Sequence, residues 1–279
     1  MIPALEFGKF RLYPLIDSHF RLDAGSIFGI VPKTIWSRSW QTDDRNRMRL
    51  SVRCLLVETG DRWILIETGI GDKWDDKLKD IYAFERSATL DEQLREVGII
   101  PADIQIVINS HLHFDHAGGN TKKQNGSWIP SFPNARFVCQ RGEYEMATNL
   151  NERTKGSYRI EDYVSLHKEG LFDFIDGEAM VHPGVRVVRS GGHSPYHQCV
   201  WLESGGGKAL FLGDLVSTKI NLSYPYITAF DLEPLVTLEK KKEFLIHAAN
   251  EDAFVFFVHD PDIAYAKVQL QGGRIELKP

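Results

Sequence analysis

The chain is poor in cysteine, has no long apolar segment and carries no excess of positive charge. Its 279 residues include three cysteines, Cys54, Cys139 and Cys199, which lie far apart in apolar, strand-like runs. We therefore expect buried free thiols and no disulfides. No apolar run approaches the roughly eighteen residues of a membrane-spanning helix. The first residues also lack a basic segment followed by an apolar one, so we expect a cytoplasmic protein without a membrane partner.

The charge balance argues against a nucleic-acid partner. The formal net charge is −5 and the pI is about 6.1, whereas nucleic-acid-binding domains are usually basic. The short basic run at residues 240–242 is flanked by glutamates, and we expect it on a solvated helix face. With 43% hydrophobic residues, the chain has enough apolar material to form one large domain over residues 1–279.

The chain does contain a dense group of metal-ligating side chains directly after an apolar segment. Residues 104–110 read Ile-Gln-Ile-Val-Ile-Asn-Ser and predict a buried strand. His111, His113, Asp115 and His116 follow at once, in the loop that would end this strand. Imidazole and carboxylate together suit zinc, iron, manganese or cobalt. The spacing indicates two divalent metal ions ~3.5–4 Å apart, and Zn²⁺ is the ion that we expect.

This pattern resembles the His-x-His-x-Asp-His signature of the metallo-β-lactamase-fold hydrolases. The resemblance implies an α/β fold, a four-layer αβ/βα sandwich, and three more ligands downstream in a set order. Candidates occur in that order, each after a short apolar run: His193, Asp214 and His259. The implied first triad is His111, His113 and His193, and the implied second triad is Asp115, His116 and His259. Asp214 is the implied bridging carboxylate.

The same resemblance implies hydrolysis by a hydroxide that bridges the two metals. A metal can lower the pKa of water from 15.7 to roughly 7, so no serine or cysteine nucleophile is needed. Accordingly, the chain shows no Gly-x-Ser-x-Gly elbow. Asp115 is the expected proton shuttle, and Asp214 is the second catalytic carboxylate. His197 and Glu67 are expected to orient ligands, and Glu67 stands where this fold usually carries an aspartate.

Further segments look like those of the quorum-quenching N-acyl-homoserine lactonases and their methyl-parathion-hydrolase-like neighbours. They include residues 193–198, 213–216 and 231–241, so the resemblance covers nearly the whole chain. It implies a small-molecule substrate whose lactone ring is opened by hydrolysis. Two positions depart from the lactonases: Tyr196 stands where many have glycine, and Ser217 stands where some have a tyrosine that contacts the substrate.

Other functions remain open at this point. Glyoxalase-II-like enzymes hydrolyse thioesters with the same ligands, but they usually add a helical C-terminal domain. The methyl-parathion-hydrolase-like neighbours indicate phosphotriester or aryl ester hydrolysis as a further alternative. True β-lactamases usually lack the bridging aspartate. A mononuclear iron oxygenase would not need every ligand of the second site, and a non-catalytic binding module would not need an intact set.

The wall of the substrate pocket is expected in an apolar, glycine-punctuated stretch at residues 23–36. Phe28, Ile30 and Trp36 are candidates to face the substrate. The alternatives are a loop that packs onto the core and a subunit contact in a homodimer. Tyr196 and Ser217 are expected to complete the pocket.

Residues 151–176 form a polar, aromatic-rich stretch that looks like an insertion between two ligands. Such an insertion is either a lid over the site or a surface excursion. Elsewhere, apolar runs around Gly60-Asp61 and around residues 205–207 predict hairpins. An amphipathic helix is expected over residues 234–250, with Leu235 among its buried residues, and a hairpin closes the chain.

Overall fold

A computed structural model describes residues 2–278 of the chain. The strands are β1 (Leu5–Phe7), β2 (Phe10–Asp23), β3 (Arg47–Glu58), β4 (Trp63–Ile66), β5 (Ile106–Ile108), β6 (Thr121–Gln124), β7 (Ser127–Pro130), β8 (Arg136–Gln140), β9 (Phe172–Ile175), β10 (Glu178–His182), β11 (Val185–Arg189), β12 (Gln198–Ser204), β13 (Gly207–Phe211), β14 (Phe254–Phe256), β15 (Tyr265–Gln271) and β16 (Arg274–Leu277). The α-helices are α1 (Ala24–Phe28), α2 (Lys33–Trp36), α3 (Asp76–Tyr82), α4 (Leu90–Val97), α5 (Phe114–Ala117), α6 (Arg141–Ala147), α7 (Val164–Lys168) and α8 (Pro234–Asn250). Short 3₁₀ helices occur at Pro101–Asp103, Gly118–Asn120, Ile160–Asp162, Gly213–Leu215 and Lys219–Leu222.

Two seven-stranded sheets organise the part of the chain that the structure describes. The first has the order β1-β2-β3-β4-β5-β8-β9 and the second the order β10-β11-β12-β13-β14-β15-β16. Most neighbours are antiparallel, but β4, β5, β8 and β9 pair in parallel, as do β13 and β14. The predicted hairpins are present as β3–β4, β12–β13 and β15–β16.

Side chains of one strand alternate between two cores, because successive residues of a strand point to opposite faces of the sheet. In β3, Leu55 and Val57 belong to the core shared with the second sheet, whereas Cys54 and Leu56 belong to the core shared with α4, α6 and α7. On the far side, α8 packs on the second sheet. The resulting order of helix, sheet, sheet and helix confirms the predicted four-layer α/β fold. The three cysteines are buried and free, as expected.

Helix α8 corrects two expectations about its exposed face. Its inward-facing residues recur at helical spacing and include Thr237, Lys241 and Phe244. Lys241 is therefore fully buried, although residues 240–242 were expected on a solvated face. Leu235, which was expected inside, is 78% exposed, because the first turn packs Thr237 against the backbone of Gly192 instead.

The segment at residues 151–176 is neither wholly a lid nor a surface excursion. Its second half supplies α7 and the edge strand β9, and Tyr163 and Leu166 are buried in the core. Its first half approaches the ligand loop, where the Ser157 carbonyl accepts a hydrogen bond from the Phe114 amide at 2.9 Å. Residues 23–36 likewise form two short helices, α1 and α2.

Among the described residues, no helix combines the length and the apolar character needed to cross a bilayer.

Candidate metal centre

Loops that follow strand ends bring the candidate ligands to one edge of the sandwich. His111 follows β5, whose parallel neighbours β4 and β8 end at the same edge. His193, Asp214 and His259 follow β11, β13 and β14, which run in the same direction within the second sheet. The strands are apolar and buried, and the polar side chains follow directly after the strands end.

The first group of ligand atoms belongs to His111, His113 and His193, and these atoms lie within 4.8 Å of one another. His113 Nδ1 and His193 Nε2 are 3.1 Å apart. All three imidazoles are buried. Burial, together with the neighbouring imidazoles, holds the pKa of His111 and of His113 well below 6.5. Both rings are therefore neutral at neutral pH, which leaves one nitrogen of each with a free lone pair for a metal.

The second group comprises Asp115, His116 and His259, again within 4.8 Å of one another. Asp115 Oδ2 lies 3.8 Å from His116 Nε2 and 3.5 Å from His259 Nε2. Asp115 and His116 both lie on the single turn of α5, which directs their side chains to the second group while His113 serves the first.

Asp214 lies between the two groups. Its Oδ2 is 3.3 Å from His193 Nε2 in the first group and 3.5 Å from His116 Nε2 in the second. Its Oδ1 is 3.2 Å from His259 Nε2. Although burial favours the protonated form, the surrounding imidazoles, His259 foremost, hold the pKa of Asp214 well below its usual range. One ionised carboxylate thus contacts ligands of both triads, as a bridging ligand requires.

The donor set fits divalent metal ions. Nε2 of His111 and Nε2 of His116 are buried and have no hydrogen-bond partner in the described structure, and such orphaned groups are costly unless a ligand satisfies them. Burial alone would lower the pKa of His116, but the charges of Asp214, Asp115 and Glu67 raise it well above 6.5. These carboxylates favour positive charge in the buried cluster, and a bound cation would supply it.

The imidazoles are held from behind by oxygen acceptors. Nδ1 of His111 lies 2.9 Å from the Ser110 hydroxyl, and Nδ1 of His193 lies 2.9 Å from Asp231 Oδ1. Nδ1 of His259 lies 2.7 Å from the backbone carbonyl of Ser51. Such contacts fix the ring orientation and leave the opposite nitrogen for the metal.

Glu67 lies in the position expected for a residue that orients ligands. It directly follows β4 and is fully buried, with a left-handed backbone (φ 64°) that is unusual for a non-glycine residue. Its Oε1 accepts a hydrogen bond from the Ser110 amide at 3.1 Å and lies 3.4 Å from His116 Nδ1. The glutamate thereby connects the ligand loop to the end of β4.

His197 lies between Ser190 and the backbone of Asp214. Its Nδ1 lies 2.6 Å from the Ser190 hydroxyl, and its Nε2 accepts a hydrogen bond from the Asp214 amide at 3.1 Å. Burial lowers the pKa of His197 to about 3, so Nε2 stays an acceptor. A Cβ at Gly213 (φ 53°) would lie 2.6 Å from this nitrogen, so the close approach requires glycine.

A cavity of about 270 Å³ opens onto the ligands. One part of its wall is apolar or aromatic and comes from six separate positions: Leu22, Ile27, Leu50, Tyr82, Phe114 and Phe230. The polar residues of the wall are Arg153, Ser157, Ser217, Thr218 and Thr228. Ligand residues, including Asp115 and Asp214, complete it. Ser217, predicted for the pocket, lines the cavity and donates a hydrogen bond to Asp214 Oδ1 at 3.2 Å.

The other residues predicted for the pocket do not line this cavity. Phe28 and Trp36 are buried and stack on each other with ring centroids 4.7 Å apart, and the preceding Ile27 supplies the wall instead. Ile30 is 88% exposed. Tyr196 packs its ring over the Gly142 backbone and under the guanidinium of Arg189, 4.4 Å from the ring centroid. Apolar character alone did not reveal which side of the loop faces the cavity.

Comparison with known proteins decides the family. The family profile of the Metallo-beta-lactamase superfamily matches residues 47–264. The chain belongs to this superfamily. It is 32% identical over 233 residues to an N-acyl homoserine lactonase of Bacillus cereus, covering 77% of this chain and 83% of that protein. The predicted resemblance and the assignment as a hydrolase are thereby confirmed.

Solved structures of other superfamily members align over nearly the whole chain. A "probable metal-dependent hydrolase" from Staphylococcus aureus has a TM-score of 0.90 and 27% identity, covering 98% of this chain and 99% of that one. An N-acyl homoserine lactone hydrolase with the product N-hexanoyl-L-homoserine bound at its catalytic metal centre has a TM-score of 0.70 and 27% identity, covering 92% and 95%.

Two carboxylates of this superfamily member were missed as site residues. Asp231, already described behind His193, lies 38 positions away in sequence. Glu143 is fully buried, and it accepts hydrogen bonds from the Leu112 amide at 3.0 Å, the Tyr158 hydroxyl at 2.9 Å and the Ser194 hydroxyl at 2.6 Å. These donors flank ligands of the first triad. The only signal in the sequence was an acidic residue in segments that otherwise bury apolar side chains.

Proposed function

We propose that this protein is a dinuclear metal-dependent lactonase that opens N-acyl-homoserine lactones or related lactones. The observation that carries the proposal is the pair of triads joined by Asp214 on the floor of a cavity with one apolar wall. The lactonase named above, and the product-bound hydrolase, support a cyclic ester as the substrate class.

The donor set supports two divalent ions, with Zn²⁺ as the proposed metal and iron, manganese or cobalt as alternatives. His111, His113 and His193 would hold one ion, Asp115, His116 and His259 the other, and Asp214 both. When bound, such ions supply Lewis-acid activation of water and of an ester carbonyl.

The chain's own residues would orient the reactants and move the proton. Asp115 lines the cavity, and its side chain is 10% exposed, so it is the carboxylate that can accept a proton there and pass it to the leaving alkoxide. The Asp214 amide donates a hydrogen bond to His197 Nε2, and the Ser217 hydroxyl donates one to Asp214 Oδ1. These two hydrogen bonds would fix the carboxylate. The apolar residues of the wall can bury the acyl part of the substrate.

The apolar wall also makes a prediction about substrate length. Burying one methylene contributes ~0.8 kcal/mol, or about fourfold in a binding constant. We therefore expect the specificity constant to rise steeply with acyl chain length and then to level off once the cavity of about 270 Å³ is filled.

The test combines metal analysis with substrate profiling. We expect close to two metal ions per chain, loss of activity on chelation and recovery on addition of Zn²⁺, measured by elemental analysis and a weakly buffered pH-indicator assay over a homologous lactone series. A flat response to chain length would refute the assigned apolar wall. Faster turnover of a phosphotriester or a glutathione thioester than of any lactone would refute the proposed substrate class. One iron per chain with oxygen consumption would refute the hydrolytic mechanism.

A cytoplasmic location, the absence of a nucleic-acid partner and a homodimer stay predictions from the sequence. Ile30, 88% exposed on the loop between α1 and α2, is the residue that the homodimer alternative would use. Sedimentation of the wild-type protein and of an Ile30→Ser variant would test that alternative.

A further inference from the structure

The ring of Tyr82 is held rigidly at the edge of the cavity by other aromatic side chains. Its centroid lies 5.5 Å from that of Phe114, 5.7 Å from that of Trp74 and 5.8 Å from that of Phe84. Phe114 directly precedes the ligand Asp115 and, like Tyr82, lines the cavity. The ring position is therefore coupled to the position of the ligand loop.

The backbone around Tyr82 is also fixed. Tyr82 ends α3, and the next residue, Ala83, caps the helix in a left-handed conformation (φ 45°) that is strained for a non-glycine residue. The Arg47 guanidinium donates to the carbonyls of Asp80 at 2.9 Å and Ile81 at 2.8 Å. These contacts satisfy the end of the helix and hold the strained turn that presents Tyr82 to the cavity.

The hydroxyl of Tyr82 differs from those of the other tyrosines near the site. Tyr158 donates to Glu143 at 2.9 Å, and Tyr163 donates to the Ala147 carbonyl at 2.7 Å. Within residues 2–278, the Tyr82 hydroxyl has no such partner, although the side chain is largely covered and lines the cavity that contains Asp115. Tyrosine hydroxyls in such positions usually find an acceptor. A hydrogen-bond acceptor on the substrate would satisfy the Tyr82 hydroxyl.

Three polar side chains of the cavity wall are already engaged. The Arg153 guanidinium donates to the Ala229 carbonyl, and the Ser217 hydroxyl donates to Asp214. The Thr228 hydroxyl donates to Asp231 at 2.7 Å. Tyr82 thus offers the cavity a neutral O–H donor, and its ring contacts Phe114, the residue before Asp115.

We propose that the Tyr82 hydroxyl donates a hydrogen bond to a carbonyl oxygen of the lactone substrate and so positions it beside Asp115. The proposal rests on the proposed function. Two carbonyls of the substrate can accept this hydrogen bond, that of the lactone ring and that of an N-acyl side chain. The group remains a donor at neutral pH, since burial raises the pKa of Tyr82 above 10. Tyr82 is thus assigned as a residue that contacts substrate, and the ring packing is the means by which it is positioned.

The experiment compares Tyr82→Phe with the wild-type holoenzyme on an N-acyl-homoserine lactone and on an alkyl γ-lactone without the amide. Tyr82→Phe keeps the ring and removes the donor, so we expect kcat/KM to fall roughly three- to tenfold at unchanged metal content and thermal midpoint. A loss on both substrates assigns the contact to the ring carbonyl, and a loss on the N-acylated substrate alone assigns it to the amide. Tyr265→Phe on β15, where the ring packs on Phe254 and Phe256, is the matched control and should leave kcat/KM unchanged.

Unchanged kcat/KM of Tyr82→Phe on both lactones, with an active wild-type enzyme, would overturn the proposal and leave the proposed function intact. Wild-type protein that is inactive on every lactone would instead refute the proposed function. Equal losses in Tyr82→Phe and Tyr265→Phe would also overturn the proposal, because a donor remote from the cavity cannot bind substrate.

Discussion

The buried Lys241 makes a quantitative prediction about stability and pH. It lies on the inner face of α8, fully buried, and its Nζ donates to the carbonyls of Ser223 at 2.8 Å and Tyr226 at 2.9 Å. These carbonyls belong to the loop that leads to Thr228 and Asp231 at the site. Burial lowers the pKa of Lys241 from 10.5 to about 7, although the charge of Asp231 opposes this.

The sign of the effect follows from proton binding. Between about pH 7 and 10.5 the unfolded chain binds a proton at this lysine and the folded chain does not, so the free energy of unfolding rises with pH across that window. Below pH 7 the full cost of burying the ammonium is present. The lowering of the Lys241 pKa from 10.5 to about 7 corresponds to a destabilisation of the folded state by ~5 kcal/mol. Of this destabilisation, ~2.5 kcal/mol is relieved as the pH rises from 6 to 9.

The assay is urea denaturation of the wild type and of Lys241→Met at pH 6, 7, 8 and 9. The loss of two hydrogen bonds lowers the free energy of unfolding of the variant at every pH. Only the wild type should gain the ~2.5 kcal/mol between pH 6 and 9, so the difference in free energy of unfolding between the two proteins should change by that amount. Lys240→Met is the control, because Lys240 is only partly buried and its ammonium pairs with Glu243 at 2.8 Å. A difference that stays constant from pH 6 to 9 would refute the reasoning and show that the two carbonyls keep the lysine charged throughout.

Two further predictions concern the ligands. Asp214→Ala should abolish turnover more completely than His197→Ala or Tyr196→Phe, because only Asp214 contacts ligands of both triads; steady-state kinetics with metal analysis tests this, and equal losses at equal metal content would contradict it. Asp231→Asn should weaken metal binding or activity about 10- to 100-fold, because it removes the carboxylate behind His193. Competition with a chelator measures the affinity, and an unchanged constant would count against that role.

The candidate metal centre could be predicted from the sequence because its determinants are local. Each ligand directly follows an apolar run, and the runs became β5, β11, β13 and β14, whose ends meet at one edge. The hairpins and α8 were predictable for the same reason, since turn residues and periodicity are read within a short window.

Some partners of the ligands could not be predicted, because they come from distant parts of the chain. The acceptor behind His259 is the backbone carbonyl of Ser51, 208 positions away, and a carbonyl has no signature in sequence. Glu143 and Lys241 are buried charged residues, a rare state that composition argues against. Their burial became evident only when the groups that satisfy them were located.

The same distinction explains why substrate preference is harder to read than metal chemistry. The ligands occupy a few motifs, whereas the apolar wall is assembled from single residues of β2, α1, β3, α3 and α5, each contributing one side chain. A single change in any of these elements alters the cavity without touching a ligand. Two chains with the same seven candidate ligands can therefore differ in substrate. Tyr82 is the sharpest case, because removing its single hydroxyl from the cavity wall should change kcat/KM while the metal content stays the same.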